Sequence, residues 1–151
     1  MDRVFLDANV LVSAALKPES RVAGLWELKG VRLLASPYVV TEARRNVADP
    51  AAAERLEALV ARMAVLPAEP AEFDTPDAPD LAAKDRPVLQ AAIVSGAEYL
   101  LTGDMAHFGA CFGRLVGDVR VMLPGDFLRL PPATISLALP PGSVVAGPQG
   151  P

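Results

Sequence analysis

Four carboxylates are placed where chemistry rather than solubility would explain them: Asp7, Glu42, Asp85 and Asp104. Asp7 is the sharpest case, because it is the only charged residue in the thirteen-residue stretch "VFLDANVLVSAAL" (residues 4–16). A carboxylate in such company costs stability unless a cation or good hydrogen bonds compensate it. The chain has one histidine, His107, and one cysteine, Cys111, so zinc centres of the usual ligand sets are excluded. A cluster of oxygen ligands suits Mg²⁺ or Mn²⁺, hard cations that bind carboxylates, waters and substrate phosphates. Such ions activate water and stabilise both oxygens of an in-line phosphodiester displacement. Several acids are needed, because one neither neutralises a divalent ion nor fixes its geometry. Each acid also has an ordinary reading. Asp85 could cap a helix, Glu42 could be a solvated helix residue beside Arg45 or Asn46, and Asp104 in "TGD" could be a turn residue.

The elements that would position these acids follow from the apolar patterning. "RVFL" reads as a short buried strand ending at Asp7, and "ANVLVSAAL" as a helix broken at Lys17-Pro18. "ESRVAGLWELKG" has Val22, Leu25, Trp26 and Leu28 near helical spacing, with Gly30 as a stop. "VRLLAS" is a second strand, after which Ser36 caps a helix that opens on Pro37 and carries Glu42. Asp49-Pro50 repeats that start signal, and Leu56, Leu59, Val60 and Met63 form one stripe of the helix that follows. "AVLP" reads as a short strand. Residues 67–80, with prolines at 67, 70, 76 and 79, read as a loop. Asp85 then stands at the start of the helix "VLQAAIVSGA", which stops at Gly96. "EYLLT" and "RVMLP" are strands, and "GDFLRL" a last turn or short helix. Strands alternating with helices imply an α/β domain with a parallel sheet covered on both faces. Ligand sites in such sheets lie beyond the carboxyl ends of the strands, where the strand order reverses.

At 151 residues, 52% of them hydrophobic, the chain suffices for one domain with a real core. The expected domain is residues 1–130. Residues 131–151 form a tail with no charged residue and six of the fifteen prolines, although "ATISLAL" within it is β-prone. One cysteine permits no intrachain disulfide, and a reducing cytoplasm fits best. No stretch is long enough for a signal peptide or a membrane span. The net charge of −4 argues against broad, non-specific nucleic-acid binding. Much of the negative charge lies in "EPAEFDTPDAPD" (residues 69–80), so a local basic rim from Arg44, Arg45, Lys84 and Arg86 is compatible with that total.

These stretches resemble the motifs of PIN-domain nucleases. "VFLDANVLVSAAL" is similar to the family's opening motif, a strand ending in Asp with Asn or a small hydroxyl residue two positions on. "SPYVVTEARRNV" resembles the second motif, with Glu42 as its helix-borne acid. "KDRPVLQAAIVSGAEYLLTGD" resembles the third and fourth, carrying Asp85 and Asp104. Order and spacing match over roughly residues 3–130. The resemblance implies a three-layer α/β/α sandwich with a central parallel sheet and a Mg²⁺- or Mn²⁺-dependent ribonuclease of single-stranded RNA. It further implies the toxin half of a toxin–antitoxin pair of VapC type, acting as a homodimer. On that implication Asp7, Glu42, Asp85 and Asp104 bind the metal, and Asn9 orients Asp7 or a metal-bound water. Ser13 would support the site or simply pack, with packing preferred. Arg44, Arg45, Lys84, Arg86 and His107 would be RNA contacts.

The sequence departs from the pattern after Asp104. Many members carry a further acid there, whereas "GDMAHF" supplies Ala106 and His107. Two rivals follow. A haloacid dehalogenase-type phosphatase also starts with a strand ending in Asp, but needs a second Asp at position 9, which here is Asn, and Thr at position 11, which is Leu. The other is a PIN-like scaffold without activity, which would have no reason to keep four mutually repelling carboxylates.

Overall fold

In the computed structural model of the chain, residues 1–75 and 81–131 are described. The expected tail, apart from Pro131, and residues 76–80 of the expected loop lie outside them. Residues 67–75 carry no helix or strand. The chain runs β1 (Asp2–Leu6), α1 (Ala8–Leu16), β2 (Val31–Ala35), α2 (Pro37–Arg45), α3 (Pro50–Ala61) and β3 (Ala64–Val65). It continues as α4 (Arg86–Val94), β4 (Tyr99–Leu101), α5 (Met105–Phe108), β5 (Leu115–Val116), β6 (Val119–Met122) and α6 (Pro124–Leu128).

Helix starts sit where capping chemistry puts them. The Asp7 side chain accepts from the Ala8 N–H at 2.7 Å, Ser36 Oγ from Val39 N–H at 3.3 Å, and Asp49 Oδ2 from Ala52 N–H at 2.9 Å. Each cap satisfies a donor that the first helical turn leaves orphaned. Pro37 and Pro50 follow their caps directly, a position that needs no N–H.

The strands form one six-stranded sheet in the order β3-β2-β1-β4-β6-β5, parallel except for the β5–β6 pair. β1 lies between β2 and β4, with Phe5 opposite Leu34 on one side and Leu100 on the other. Val4, Phe5 and Leu6 are all fully buried. Successive strand residues face opposite sides, so their burial requires cover on both faces, which the helices supply. From β1 the chain first builds outward through β2 and β3, then returns to add β4, β6 and β5 on the other side. The order therefore reverses between β1 and β4, and that is where their carboxyl ends open.

Two parts differ from the sequence reading. The Val22–Leu28 stretch forms a 3-10 helix over Val22–Glu27 rather than an α-helix, with Leu28 already extended. Leu25 and Trp26 are still buried, and the Trp26 indole N–H donates to the Leu59 carbonyl of α3 at 3.0 Å. Apolar spacing over six residues does not separate the two helix types, and Gly24 inside the stretch weakens the longer one. The second difference is the antiparallel β5–β6 hairpin. Its two-residue turn, Gly117-Asp118, has φ of +55° and +67°, the primed-turn geometry that tight hairpins favour.

Candidate functional site

Asp7 leaves β1 with extended backbone and caps α1, so its carboxylate is aimed back over the end of the sheet. It is only 7% exposed. One oxygen accepts from Ala8 N–H. The other accepts from the Thr102 hydroxyl at 2.8 Å and the Asn9 amide at 3.2 Å. Burial pushes the Asp7 carboxyl above the ordinary aspartate value. The Thr102 and Ala8 hydrogen bonds oppose this, and the charges of Asp85 and Asp104 add to it. Asn9 spans the β1–β4 opening: besides Asp7, its amide nitrogen reaches Thr102 Oγ1 at 3.2 Å, and its oxygen accepts from Gly103 N–H at 2.8 Å.

Thr102 is the residue that sequence reasoning missed. It is fully buried at the exit of β4, and its hydroxyl also accepts from the Asp104 N–H at 3.1 Å. One oxygen atom thereby fixes Asp7, Asn9 and the backbone of Asp104. The only trace in the sequence is a hydroxyl residue immediately before "GD".

Asp85 occupies the N-cap position of α4, but its side chain makes no capping hydrogen bond. The capping reading therefore fails. The residue is 7% exposed, and its Oδ2 is buried without a hydrogen-bond partner among the described residues. Burial raises its pKa; His107 and Lys84 oppose this, and Asp104 adds to it. Asp104 caps α5, accepting from His107 N–H at 3.1 Å with one oxygen and meeting His107 Nδ1 with the other. Burial tends to raise its pKa too, but the hydrogen bonds and charge of His107 outweigh that and bring it below the usual value. Ligand atoms of Asp85, Asp104 and His107 all lie within 4.8 Å of one another.

A cleft of about 490 Å³ brings Asp7, Asn9, Glu42, Asp85 and Asp104 together, with Tyr38 and Lys84 on its walls. Burial raises the Tyr38 hydroxyl pKa, as do the Glu42, Asp85 and Asp7 carboxylates facing it. Ser13 is exposed on the cleft wall rather than packed. Glu42 lines the cleft but stands outside the 4.8 Å cluster, and Arg45 pairs with it at 3.1 Å. Arg44 forms a two-pronged pair with Glu57 of α3 at 2.7 and 2.9 Å. Arg86 meets Glu72 at 3.7 Å. Lys84 is the one cation lining the cleft among the described residues.

This donor set fits a divalent cation. Its acids are mutually repelling, and Asp85 has a buried oxygen that no donor among the described residues satisfies, beside a cleft open to solvent. A family model described as the PIN domain matches residues 3–106. The chain belongs to the PIN-domain family. That membership displaces the dehalogenase-type rival. Solved PIN-like structures share the fold at low identity. VapBC2 from Rickettsia felis, solved with a promoter DNA fragment, gives a TM-score of 0.56 at 15% identity, covering 80% of this chain and 98% of that one. VapBC-1 from nontypeable Haemophilus influenzae gives 0.54 at 15%, covering 82% and 98%. VapC20 of Mycobacterium tuberculosis, described as a sarcin-ricin loop cleaving toxin, gives 0.51 at 18%, covering 78% and 98%. Comparison with curated proteins finds no match. No described helix of this PIN domain is long and apolar enough to cross a membrane.

Proposed function

We propose that this chain is a Mg²⁺- or Mn²⁺-dependent endoribonuclease that hydrolyses single-stranded RNA, and the toxin of a toxin–antitoxin pair. The observation that carries the reading is the unpartnered, buried oxygen of Asp85 in a cleft shared with Asp7, Glu42 and Asp104 at the strand-order reversal. Asp7, Asp85 and Asp104, with Glu42 behind them, would hold the ion. A bound divalent ion supplies Lewis-acid polarisation of a phosphate and a more acidic water. Asn9 and Thr102 hold the Asp7 carboxylate in one orientation before any ligand arrives, so no reorganisation is needed there. Lys84, which lines the cleft, would take a substrate phosphate, and Arg45 would do so on release from Glu42. The catalytic domain would span residues 1–130, with 131–151 as a separate tail. A homodimer and an antitoxin partner are part of the proposal; the VapBC assemblies whose fold it shares lend support to the latter. A cytoplasmic setting fits the single buried thiol of Cys111.

The test is cleavage of end-labelled single-stranded RNA by the full chain with Mg²⁺, Mn²⁺ or EDTA, beside Asp7→Asn. Asparagine keeps the helix cap, so loss of cleavage in a variant of unchanged Tm reports the carboxylate. Metal-dependent cleavage abolished by Asp7→Asn is the expected result. No cleavage together with no calorimetric Mn²⁺ binding would replace this reading with the inactive scaffold.

A further inference from the structure

The fold brings His107 to Asp85 and Asp104, two of the acids at the cleft. We propose that His107 is itself a metal ligand, making this a mixed oxygen–nitrogen centre that selects Mn²⁺ over Mg²⁺. The inference rests on the metal-dependent reading above and deepens it.

The geometry comes from one tight turn. Asp104 caps the short helix α5 by accepting the His107 N–H, and the imidazole folds back over the same carboxylate. That places a ring nitrogen within 4.8 Å of carboxylate oxygens on both Asp104 and Asp85. The His107 side chain is 37% exposed, so a hydrated cation reaches it without opening the core. The independent sign of a ligand is Asp85, whose buried Oδ2 has no partner among the described residues.

The competing role for His107 is that of a counter-ion. A protonated imidazole would neutralise Asp104 and repel an incoming cation. A neutral imidazole protonated at Nε2 keeps its Nδ1 lone pair on the side of the Asp104 carboxylate, where one ion could take both. The ion chemistry then decides the preference. Mg²⁺ demands oxygen ligands and gives up its waters reluctantly. Imidazole favours transition-metal divalent ions, and Mn²⁺ also tolerates the carboxylates.

The experiment titrates the metal-free full chain with MnCl₂ and with MgCl₂ by calorimetry, and records pulsed electron paramagnetic resonance of the Mn²⁺-loaded protein. His107 is the only histidine in the sequence, so imidazole nitrogen coupling to Mn²⁺ in an untagged chain has one possible source. Wild type should bind Mn²⁺ more tightly than Mg²⁺ and show that coupling. His107→Ala should lose the coupling and about tenfold or more in Mn²⁺ affinity, since even outer-shell partners are worth that much. Its Mg²⁺ affinity should move by less than about twofold. His107→Asp should recover Mn²⁺ binding without the nitrogen signal and with a narrower Mn²⁺/Mg²⁺ gap. Mn²⁺ binding with no nitrogen coupling, or equal affinity in His107→Ala, overturns this inference and leaves the nuclease reading standing. Failure of wild type to bind either ion removes both.

Discussion

Thr102→Val is the most incisive perturbation of this site, because it changes shape very little and removes one buried hydroxyl. That hydroxyl donates to Asp7 Oδ2 at 2.8 Å and accepts from Asp104 N–H at 3.1 Å and Asn9 Nδ2 at 3.2 Å. A hydrogen bond to a charged group is worth about 1.5–3 kcal/mol, and an orphaned buried donor costs about 1–3 kcal/mol. Asp7 keeps its bonds from Ala8 and Asn9, so the combined loss should be about 2–4 kcal/mol. In a domain of this size that lowers Tm by roughly 4–16 °C. Urea unfolding at several pH values would measure it. The pH dependence carries the diagnostic sign. Burial already raises the folded-state pKa of Asp7, and losing a donor raises it further. The penalty in Thr102→Val should therefore be largest above that folded pKa and shrink as pH falls through it, where Asp7 is protonated in both proteins. Thr102→Ser keeps the hydroxyl and loses one methyl group, and should cost only about 1 kcal/mol. A Thr102→Val protein within about 0.5 kcal/mol of wild type, or no more affected than Thr102→Ser, would refute the account of Thr102 as the organiser of the site.

Asp85→Asn should raise the Tm of the metal-free protein, by relieving a buried carboxylate that Asp104 repels, while removing Mn²⁺ binding in calorimetry; lower metal-free stability would contradict this. Asp2 is 1% exposed, with both oxygens unpartnered among the described residues, and burial followed by the Glu98 charge raises its pKa. Asp2→Asn should therefore stabilise by about 1–2 kcal/mol at neutral pH. That gain should vanish in urea titrations as pH falls below the ordinary aspartate value of 3.8. At Gly117, with φ +55°, an added Cβ would sit 2.8 Å from Ile93 Cδ1. Gly117→Ala should cost about 1–3 kcal/mol in the same assay, through strain and overpacking together.

The parts of this molecule that depend on neighbours in sequence were the legible ones. Ser36-Pro37 and Asp49-Pro50 locate the starts of α2 and α3, because a cap and its orphan N–H lie within three residues. The alternation of strands and helices implies the parallel sheet, and Gly117-Asp118 between two short apolar runs is a local hairpin signal. The 3-10 helix over Val22–Glu27 was not distinguishable, since burial of Leu25 and Trp26 is compatible with either helix. At the site, the four acids were visible as residues, but their relations were not. Glu42–Arg45 and Asp104–His107 are pairs three residues apart and so follow from the local helix geometry, whereas the approach of Asp85 to Asp104 is set by where α4 and α5 pack. Thr102 stayed hidden because a threonine at the end of a strand is the most ordinary of residues until Asp7 is brought beside it.

The bond from Thr102 to Asp7 joins residues 95 apart, and the one from Gly103 to Asn9 joins residues 94 apart. Synthesis delivers the N-terminal partner of each pair long before the other. A nascent chain extended only through α4 already carries Asp7, Glu42 and Asp85, yet it lacks both the hydroxyl that orients Asp7 and the carboxylate of Asp104. The site closes only when β4 pairs alongside β1. For the proposed ribonuclease this is a safeguard in time. The RNA nearest to a newborn molecule is the message still passing through its ribosome, and the cutting apparatus stays incomplete until the stretch that encodes β4, Thr102 and Asp104 has been read.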